Sequence, residues 1–244
     1  MTLREELEQQ EQWTPGQSGR KIAPAENKYG VVSVCAGEGI AAMFRDLGVD
    51  QIVSGGQTMN PSTEDILKMI DATPAENVIV LPNNKNIFMA AEQCKPLSEK
   101  NVVVIPTATV PQGITAMLNM DTSAEVEENV ETMTAAIGGV TTMQITYAAR
   151  NSDFDGYAIN EGDYLALCGG ALYGTDQNIE NILTSLAEKA ADLGGEFITI
   201  FYGEDIDEAA AQKAEEIFAE VCPEAEITML SGGQPVYYYL ISVE

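Results

Sequence analysis

The chain has 244 residues, with 12 Lys and Arg against 38 Asp and Glu and no His, so its net charge is −26 at pH 7. Such a charge repels phosphate backbones and anionic lipid headgroups, which argues against nucleic-acid binding and against membrane-surface binding. Without His, the chain cannot form a Ser-His or Cys-His relay or use an imidazole as a zinc ligand.

The N-terminal segment is charged and polar. Residues 2–12 predict a short charged helix, and residues 14–29 mix Pro, Gly, Ser and charge without an apolar period, as linkers do. We expect residues 1–28 to be a helix and linker that join this chain to a longer one. No signal peptide and no apolar run of membrane-spanning length is visible, so we expect a cytoplasmic protein without membrane insertion.

From Val31 onward, short β-branched runs alternate with helical stretches. The predicted strands are VVSVC (31–35), QIVS (51–54), NVIVL (77–81) and NVVVIP (101–106). The predicted helices cover 38–47, 62–71, 84–93, 111–119 and 123–137, the last with Ser123 as its cap and a Gly pair as its end. Near-continuous Val/Ile strands separated by helices indicate a parallel sheet covered on both faces. We therefore predict a parallel, Rossmann-like α/β subdomain over residues 29–139.

The pattern changes after Gly139. An alternating strand over 140–150 is followed by a turn and a β-rich stretch. Further elements are predicted as helices at 176–192 and 207–221 and strands at 196–203, 225–232 and 235–243. This order predicts a second, mixed-sheet α/β subdomain over residues 140–244, and hence a two-lobed α/β fold.

Four loops follow the predicted parallel strands, at residues 35–39, 54–63, 81–86 and 106–113. Ligands of open parallel sheets bind at this edge, and each loop precedes a helix N-terminus, whose backbone N–H groups favour an anion. Lys85 is the only cation among these loops. The alternative is that they are ordinary βα turns, with Ser62, Thr63 and Asn84 as helix caps and Asp65 completing a capping box.

The tetrapeptide SGGQ occurs twice, at residues 54–57 before a predicted helix and at 231–234 before a predicted strand. Its two glycines permit positive φ or close backbone approach, so the copies are either two tight turns or two lips of one site. The candidate ligand residues are Gly55, Gly56, Gln57, Thr58, Asn60, Ser62, Asn83, Asn84, Lys85, Asn86, Thr107, Thr109, Gly232, Gly233 and Gln234. We expect no catalytic residue, metal or cofactor among them.

Motifs for nucleotide chemistry are weak. There is no GxxxxGK[ST] loop, and AGEGIA matches GxGxxG poorly and lacks the acidic residue expected further on. The acidic groups Asp153/Asp155 and Glu204/Asp205/Asp207 are more typical of solvated turns or helix caps than of catalytic pairs. A stand-alone enzyme would have to rely on Lys85 with Thr107 or Thr109.

The cysteines, at positions 35, 94, 168 and 222, form no CxxC pair. Their spacing indicates reduced, mostly buried thiols. Cys35 precedes a predicted helix N-terminus, which makes it the candidate for a reactive thiolate.

The motifs taken together resemble a known family. GGQTMNPSTEDIL, VIVLPNNKNIFMAAEQ, VVVIPTATVPQGI, GGVTTMQITYAARNSDFDGYAINEGDYLAL and the closing SGGQPVYYYLISVE resemble the C-terminal region of bacterial fatty acid kinase catalytic subunits. These belong to the DAK2-containing, dihydroxyacetone-kinase-like family, and the resemblance covers nearly everything after Tyr29. It implies a fold distantly similar to DegV proteins and to dihydroxyacetone-binding kinase subunits.

The resemblance also implies a function. In that family an ATP-binding kinase domain and a middle domain precede this region, so this chain alone is expected to phosphorylate nothing. The expected role is docking of a DegV-like subunit, which carries the fatty acid whose carboxylate is phosphorylated. In DegV-like proteins two loops approach the acyl carboxylate, and the SGGQ loops occupy similar places in chain order, with Gln234 where a His is usual. The alternative is a module that binds a lipid or a small anion in the cleft between the lobes.

Overall fold

The computed structural model describes residues 20–56, 60–154 and 157–244. The predicted N-terminal helix at 2–12 therefore lies outside the described residues, as do Gln57, Thr58 and Asp155.

The first lobe, which we call the N-terminal lobe, is built from alternating strands and helices. Its elements are β1 (Asn27–Cys35), α1 (Glu38–Asp46), β2 (Gln51–Ser54), α2 (Thr63–Ala72), β3 (Ala75–Leu81), α3 (Lys85–Glu92), a 3₁₀ turn (Lys95–Leu97), β4 (Asn101–Val104), α4 (Val110–Leu118) and α5 (Val126–Ile137). The strands form a parallel sheet in the order β2-β1-β3-β4. The predicted parallel α/β architecture is thus confirmed.

Both faces of this sheet are covered, which explains the unbroken apolar strands. Val31 and Ile79 face a core with α1, α4 and α5, whereas their neighbours Val32 and Val78 face a second core with α2 and α3. Successive strand residues point to opposite faces, so a doubly covered strand must be apolar at every position.

The C-terminal lobe contains a mixed sheet. Its elements are β5 (Thr141–Tyr147), β6 (Ser152–Phe154), β7 (Tyr157–Ile159), β8 (Tyr164–Cys168), β9 (Ala171–Asp176), α6 (Ile179–Asp192), β10 (Phe197–Tyr202), α7 (Glu208–Val221), β11 (Glu226–Ser231) and β12 (Tyr239–Val243). Six strands pair in the order β11-β10-β12-β5-β8-β9, with only β10 and β11 parallel, while β6 and β7 form a separate two-stranded hairpin. The predicted mixed sheet is confirmed; the boundary at Gly139 remains a prediction.

The two lobes share apolar contacts and hydrogen bonds. Phe201 of β10 and Leu240 of β12 belong to the same core as α1, α4 and α5 of the N-terminal lobe. The hydroxyls of Thr109 and Thr142 lie 2.8 Å apart across the interface, and Thr115 Oγ1 donates to Glu244 Oε1 at 3.1 Å. These contacts fix the orientation of the lobes and of the cleft between them.

Three predicted boundaries were wrong. Strand β1 begins at Asn27, inside the predicted linker, because Glu26 and Asn27 donate backbone hydrogen bonds to Pro74 O and so join the sheet. Helix α5 begins at Val126 rather than behind a Ser123 cap, since the Ser123 hydroxyl donates to Asp121 Oδ1 at 2.7 Å instead.

The third error concerns the last strand, which begins at Tyr239 rather than at residue 235. Residues 235–238 turn, with Tyr237 N donating to Pro235 O at 2.8 Å and Val236 at φ 72°. The second SGGQ copy therefore precedes a loop and not a strand. Among the helices of the described residues, none is long and apolar enough to cross a membrane.

Candidate functional site

A cavity of about 310 Å³ lies between the lobes at the carboxyl ends of the parallel strands. The N-terminal lobe contributes residues from the loops after β1, β2, β3 and β4, so all four predicted loops reach it. The C-terminal lobe contributes Gln144, Glu204, the segment 233–237 and Leu240. We call this cavity the interlobe cleft. Its volume lies at the lower end of the range typical of small-molecule sites.

The cleft brings together part of the predicted set. Gly55, Gly56, Asn83, Asn84, Thr109, Gly233 and Gln234 line it. The remaining described candidates do not line it, namely Asn60, Ser62, Lys85, Asn86, Thr107 and Gly232. Gln57 and Thr58 fall outside the described residues.

Both SGGQ copies face this cleft. Ser54, Gly55 and Gly56 line it from the N-terminal lobe, and Gly233 and Gln234 line it from the other lobe. Described residues of both copies thus line one cavity from opposite lobes, and the interpretation of the two copies as parts of one ligand site stays a prediction.

The second copy also joins the lobes through its backbone. Ile40 N, in the first turn of α1, donates to Gly232 O at 3.1 Å. A Cβ on Gly39 would lie 1.8 Å from Ser231 O, and one on Gly37, at φ 99°, would lie 2.5 Å from Gly232 O. The glycines of the CAGEG loop are therefore needed because two backbones meet there without room for a side chain.

Asn83 connects three strands at the floor of the cleft. Its Nδ2 donates to Ser33 Oγ and to Val34 O, both at 2.9 Å, and its backbone N–H donates to Thr107 Oγ1 at 3.0 Å. Its Oδ1 is buried without a hydrogen-bond partner and fits against Gly113, where a Cβ would lie 2.1 Å away. Thr107 is thus a buried partner of Asn83.

Gln234 plays a similar part in the other lobe. The residue is 3% exposed. Its Nε2 donates to Phe201 O at 2.9 Å, and its backbone carbonyl accepts from Glu204 N at 3.1 Å. Its Oε1 is also buried without a hydrogen-bond partner. Gln234 therefore holds the second lip against the end of β10.

Backbone strain is concentrated at the cleft. Among the described residues, Asn83 (φ 53°) and Val236 (φ 72°) are the non-glycine residues with positive φ, and both line the cavity. For β-branched Val236 this conformation is a genuine outlier. Each such residue costs about 1–3 kcal/mol and persists only where the surroundings enforce it, which is common at functional sites.

Several candidate side chains serve as helix caps. Asn84 Oδ1 accepts from Asn86 N at the start of α3, and Thr109 Oγ1 accepts from Gln112 N at the start of α4. Ser62 and Asp65 form a complete capping box at α2, outside the cleft. The capping interpretation is confirmed for Ser62 and Asn84, whereas Thr63 is the first residue of its helix and not its cap.

The cleft has little positive charge. Among the described residues that line it, Glu204 is the charged one. Lys85 is exposed and lies near the β8–β9 turn at Gly170. Lys85 and buried Thr107 do not meet in the cavity, so the constellation considered for a stand-alone enzyme is not assembled there. In the described ranges no cluster of three or more His, Cys, Asp or Glu is placed to hold a metal ion.

Burial suppresses ionisation in the cleft wall. It raises the pKa of the Cys35 thiol to about 12, against a small opposing effect of Arg45, and it raises the pKa of Tyr237 to about 12. Cys35 is therefore a neutral thiol at physiological pH, and the thiolate considered from the sequence is disfavoured. Among the described residues, three of the four cysteines are buried, and all four are free thiols.

Sequence reasoning missed the residues of the C-terminal lobe other than the second SGGQ loop. Gln144, Glu204 and Tyr237 line the cleft from three different segments. Glu204 follows the end of β10, so the rule for carboxyl ends of parallel strands, applied to the second sheet, would have found it. The sequence around Gln144 and around Tyr237 contains no pattern that indicates a place in the cleft.

Comparison with known proteins places this geometry in a family. The family model of the FakA-like C-terminal region of fatty acid kinases matches residues 30–244. Protein YloV of Bacillus subtilis is 39% identical over 221 residues, which cover 91% of this chain and 40% of YloV. The chain thus spans well under half the length of that relative.

Solved structures share the fold at low sequence identity. The DegV family protein Cg2579 of Corynebacterium glutamicum has a TM-score of 0.64 at 14% identity, covering 88% of this chain and 96% of that protein. The Streptococcus pneumoniae Fatty Acid Kinase (Fak) B3 protein, loaded with linoleic acid, has a TM-score of 0.60 at 13% identity, covering 89% and 99%. The dihydroxyacetone kinase of C. freundii has a TM-score of 0.59 at 12% identity, covering 89% and 48%. The fold is therefore that of the DegV and dihydroxyacetone kinase proteins, as predicted.

Proposed function

Because the chain belongs to the FakA-like C-terminal family of fatty acid kinases, we propose that it is the domain of a fatty acid kinase that docks the acyl-carrying protein. In this proposal the partner is a DegV-like protein that presents a fatty acid, and the carboxylate is phosphorylated by the ATP-binding domain of a longer chain. The observation that carries the proposal is the family match over nearly the whole described chain.

The chemistry of the cleft supports a non-catalytic role. The sequence has no His and no phosphate-binding GxxxxGK[ST] loop. The Cys35 thiol is neutral and Lys85 lies outside the cavity, so the described residues of the cleft include no activated nucleophile with a neighbouring base. We infer that the fold of an acyl-binding protein serves here for recognition.

The surface charge supports a protein partner. With a net charge of −26, the chain attracts a basic surface and accelerates its association, most strongly at low ionic strength. The four free thiols fit a reducing compartment, and we place the proposed complex in the cytoplasm.

A binding experiment with the chain as given tests this function. The chain is immobilised and exposed to a DegV-family fatty-acid-binding protein from the same organism, loaded with oleate, with bovine serum albumin loaded identically as the control. Retention of the DegV-family protein and not of albumin is expected. Equal retention of both, or of neither, would contradict the docking role.

The interlobe cleft supports a second candidate, the binding of a lipid or a small anion. Its walls include Val34, Ile40, Ile87, Val110 and Leu240, and its backbone is strained at two positions. The apolar lining favours a lipid, whereas Glu204, and the lack of a cation among the described lining residues, disfavour a small anion. Titration of the chain with oleate and with inorganic phosphate, followed by amide NMR shifts at the cleft residues, tests this alternative.

A further inference from the structure

A two-stranded hairpin separate from the mixed sheet has no role in the function described so far. Strands β6 and β7 lie between β5 and β8 in the chain, and within the described ranges they pair with each other and with no other strand. The residues of β6 are exposed, and 48% of the Phe154 surface is accessible to solvent. An isolated two-stranded hairpin is marginally stable in water, so contact with a partner would stabilise this one.

The base of the hairpin is firmly held. Ala148 N donates to Asp163 O at 2.9 Å, and Gly162 N donates back to Ala148 O at 2.8 Å. The buried Asp163 carboxylate accepts from Asn160 N at 2.8 Å, and Asn151 Oδ1 accepts from Glu161 N at 2.7 Å. These bonds fix the direction in which the hairpin projects.

A tyrosine cluster lies where the hairpin leaves the sheet. The ring centroid of Tyr238 lies 5.4 Å from that of Tyr164 and 6.1 Å from that of Tyr147, with tilted or edge-on geometry. Tyr147 and Tyr164 are register partners at the ends of β5 and β8, and Tyr147 is 43% exposed. Tyrosines of this kind supply apolar contact area with a hydrogen-bonding end, which is typical of protein interfaces.

The cluster adjoins the mouth of the interlobe cleft. Thr146 Oγ1 donates to Val236 O at 2.9 Å, which joins the end of β5 to the strained loop of the cleft. Exposed carboxylates occur in neighbouring segments of the chain, with Glu204 and Asp205 after β10 and Glu161 at the hairpin base. Arg150 is the exposed cation in this part of the described chain.

We propose that this hairpin surface, formed by Phe154, Tyr147, Tyr238, Glu161 and Asp205, is the face that docks the acyl-carrying protein. The inference rests on the proposed function and specifies where it is carried out. The occupant that fits is a folded protein that offers an apolar pocket for Phe154, ringed by Lys and Arg. A second copy of this chain fits poorly, because two surfaces with the charge of a −26 chain repel each other.

Exposed apolar residues elsewhere provide matched controls. Phe197 is 57% exposed at the start of β10, at the end of the sheet opposite the cleft. The strand length places the two ends roughly 15 Å apart, at ~3.3 Å per residue. Phe197 has the same chemistry as Phe154 but lies outside the proposed surface.

The test compares Phe154→Ser with Phe197→Ser in binding to an oleate-loaded DegV-family protein, measured by biolayer interferometry. Phe154→Ser is expected to raise Kd by roughly tenfold or more, as for an aromatic anchor, while Phe197→Ser changes Kd by less than about twofold. If the unmodified chain binds and both substitutions change Kd equally little, docking takes place elsewhere on the chain, and the proposed function is unaffected. Absence of binding by the unmodified chain would overturn both.

A second measurement does not depend on substitution. Hydrogen exchange of the backbone amides at 152–159 is expected to slow in the complex, with no slowing at residues 197–199. Asp205→Lys is expected to raise Kd roughly fivefold and to weaken its salt dependence, because a rim charge acts mainly on association. An unchanged hydrogen-exchange rate at the hairpin in a saturated complex would overturn the proposal. The proposal would also be overturned if the chain associates with itself and Phe154→Ser abolishes that self-association.

Discussion

Replacing Gly39 by Ala tests how closely the two lobes are joined at α1. Helix propensity alone predicts that Ala stabilises this position by roughly 0.5–1 kcal/mol. In the folded chain, however, the new Cβ would lie 1.8 Å from Ser231 O and 2.8 Å from Ser231 C. Both are backbone atoms of the opposite lobe, so no side-chain rotation can relieve the contact.

The backbones would have to separate by about 1 Å or more, which weakens the hydrogen bond from Ile40 N to Gly232 O and the packing behind it. Overpacking costs about 1–3 kcal/mol and a lost hydrogen bond about 1 kcal/mol. We expect a net loss of roughly 1.5–3 kcal/mol, equivalent to a Tm lower by roughly 3–6 °C for a chain of this size.

Urea unfolding followed by far-UV circular dichroism measures this loss. Gly174→Ala, in strand β9, is the matched control, because a Cβ there meets nothing within 4 Å. It is expected to be neutral or slightly stabilising. A Gly39→Ala chain as stable as the unmodified chain would refute the backbone contact between α1 and the second SGGQ loop.

Three further predictions concern other parts of the molecule. Asn83→Gly and Asn83→Ala both lose the side-chain hydrogen bonds, but Gly adopts the positive φ of this position more easily than Ala does. In urea unfolding, Asn83→Gly should therefore destabilise the chain by about 0.5–1 kcal/mol less than Asn83→Ala. A larger loss for Asn83→Gly would contradict the positive φ at this position. Burial raises the pKa of Cys35 and of Tyr239 to about 12. Both protonated groups therefore contribute fully to stability below their unfolded-state pKa values, and this contribution is lost as pH rises from about 9 towards 12. In thermal unfolding at a series of pH values, Cys35→Ala should flatten the early part of this decline, and a pH curve that the substitution leaves unaltered would argue against the raised pKa of Cys35. Asp71→Asn removes the charge of a buried carboxylate that lies 3.3 Å from Arg20 Nε. Because the Arg20 side chain stays 33% exposed to water, the free energy of unfolding should fall by no more than about 1 kcal/mol, and a loss of about 3 kcal/mol in urea unfolding would contradict this.

The sequence predicted the parts of the fold that depend on local pattern. The unbroken apolar runs at 31–35 and 77–81 identified central strands, because a strand covered on both faces must be apolar at each position. The convergence of four loops followed from parallel topology alone. Family resemblance, and not spacing, suggested that the second SGGQ loop faces the first.

What the sequence did not reveal depends on contacts between distant segments. Gln144 and Tyr237 line the cleft only because the mixed sheet brings β5 and the loop before β12 beside the parallel sheet. The start of the final strand was misjudged because 235–238 is rich in residues that favour strands, while the positive φ at Val236 is imposed by its surroundings. The glycines of CAGEG suggested a ligand loop, and in the structure they permit contact between the lobes.

Calorimetric titration of the chain with an oleate-loaded DegV-family protein from the same organism, at low and at moderate salt, tests the central claim most directly. The account predicts saturable binding that weakens as salt is added, because a chain of net charge −26 attracts a basic partner through interactions that salt screens. No binding heat at either salt, with both proteins folded and across two temperatures, would contradict a docking role.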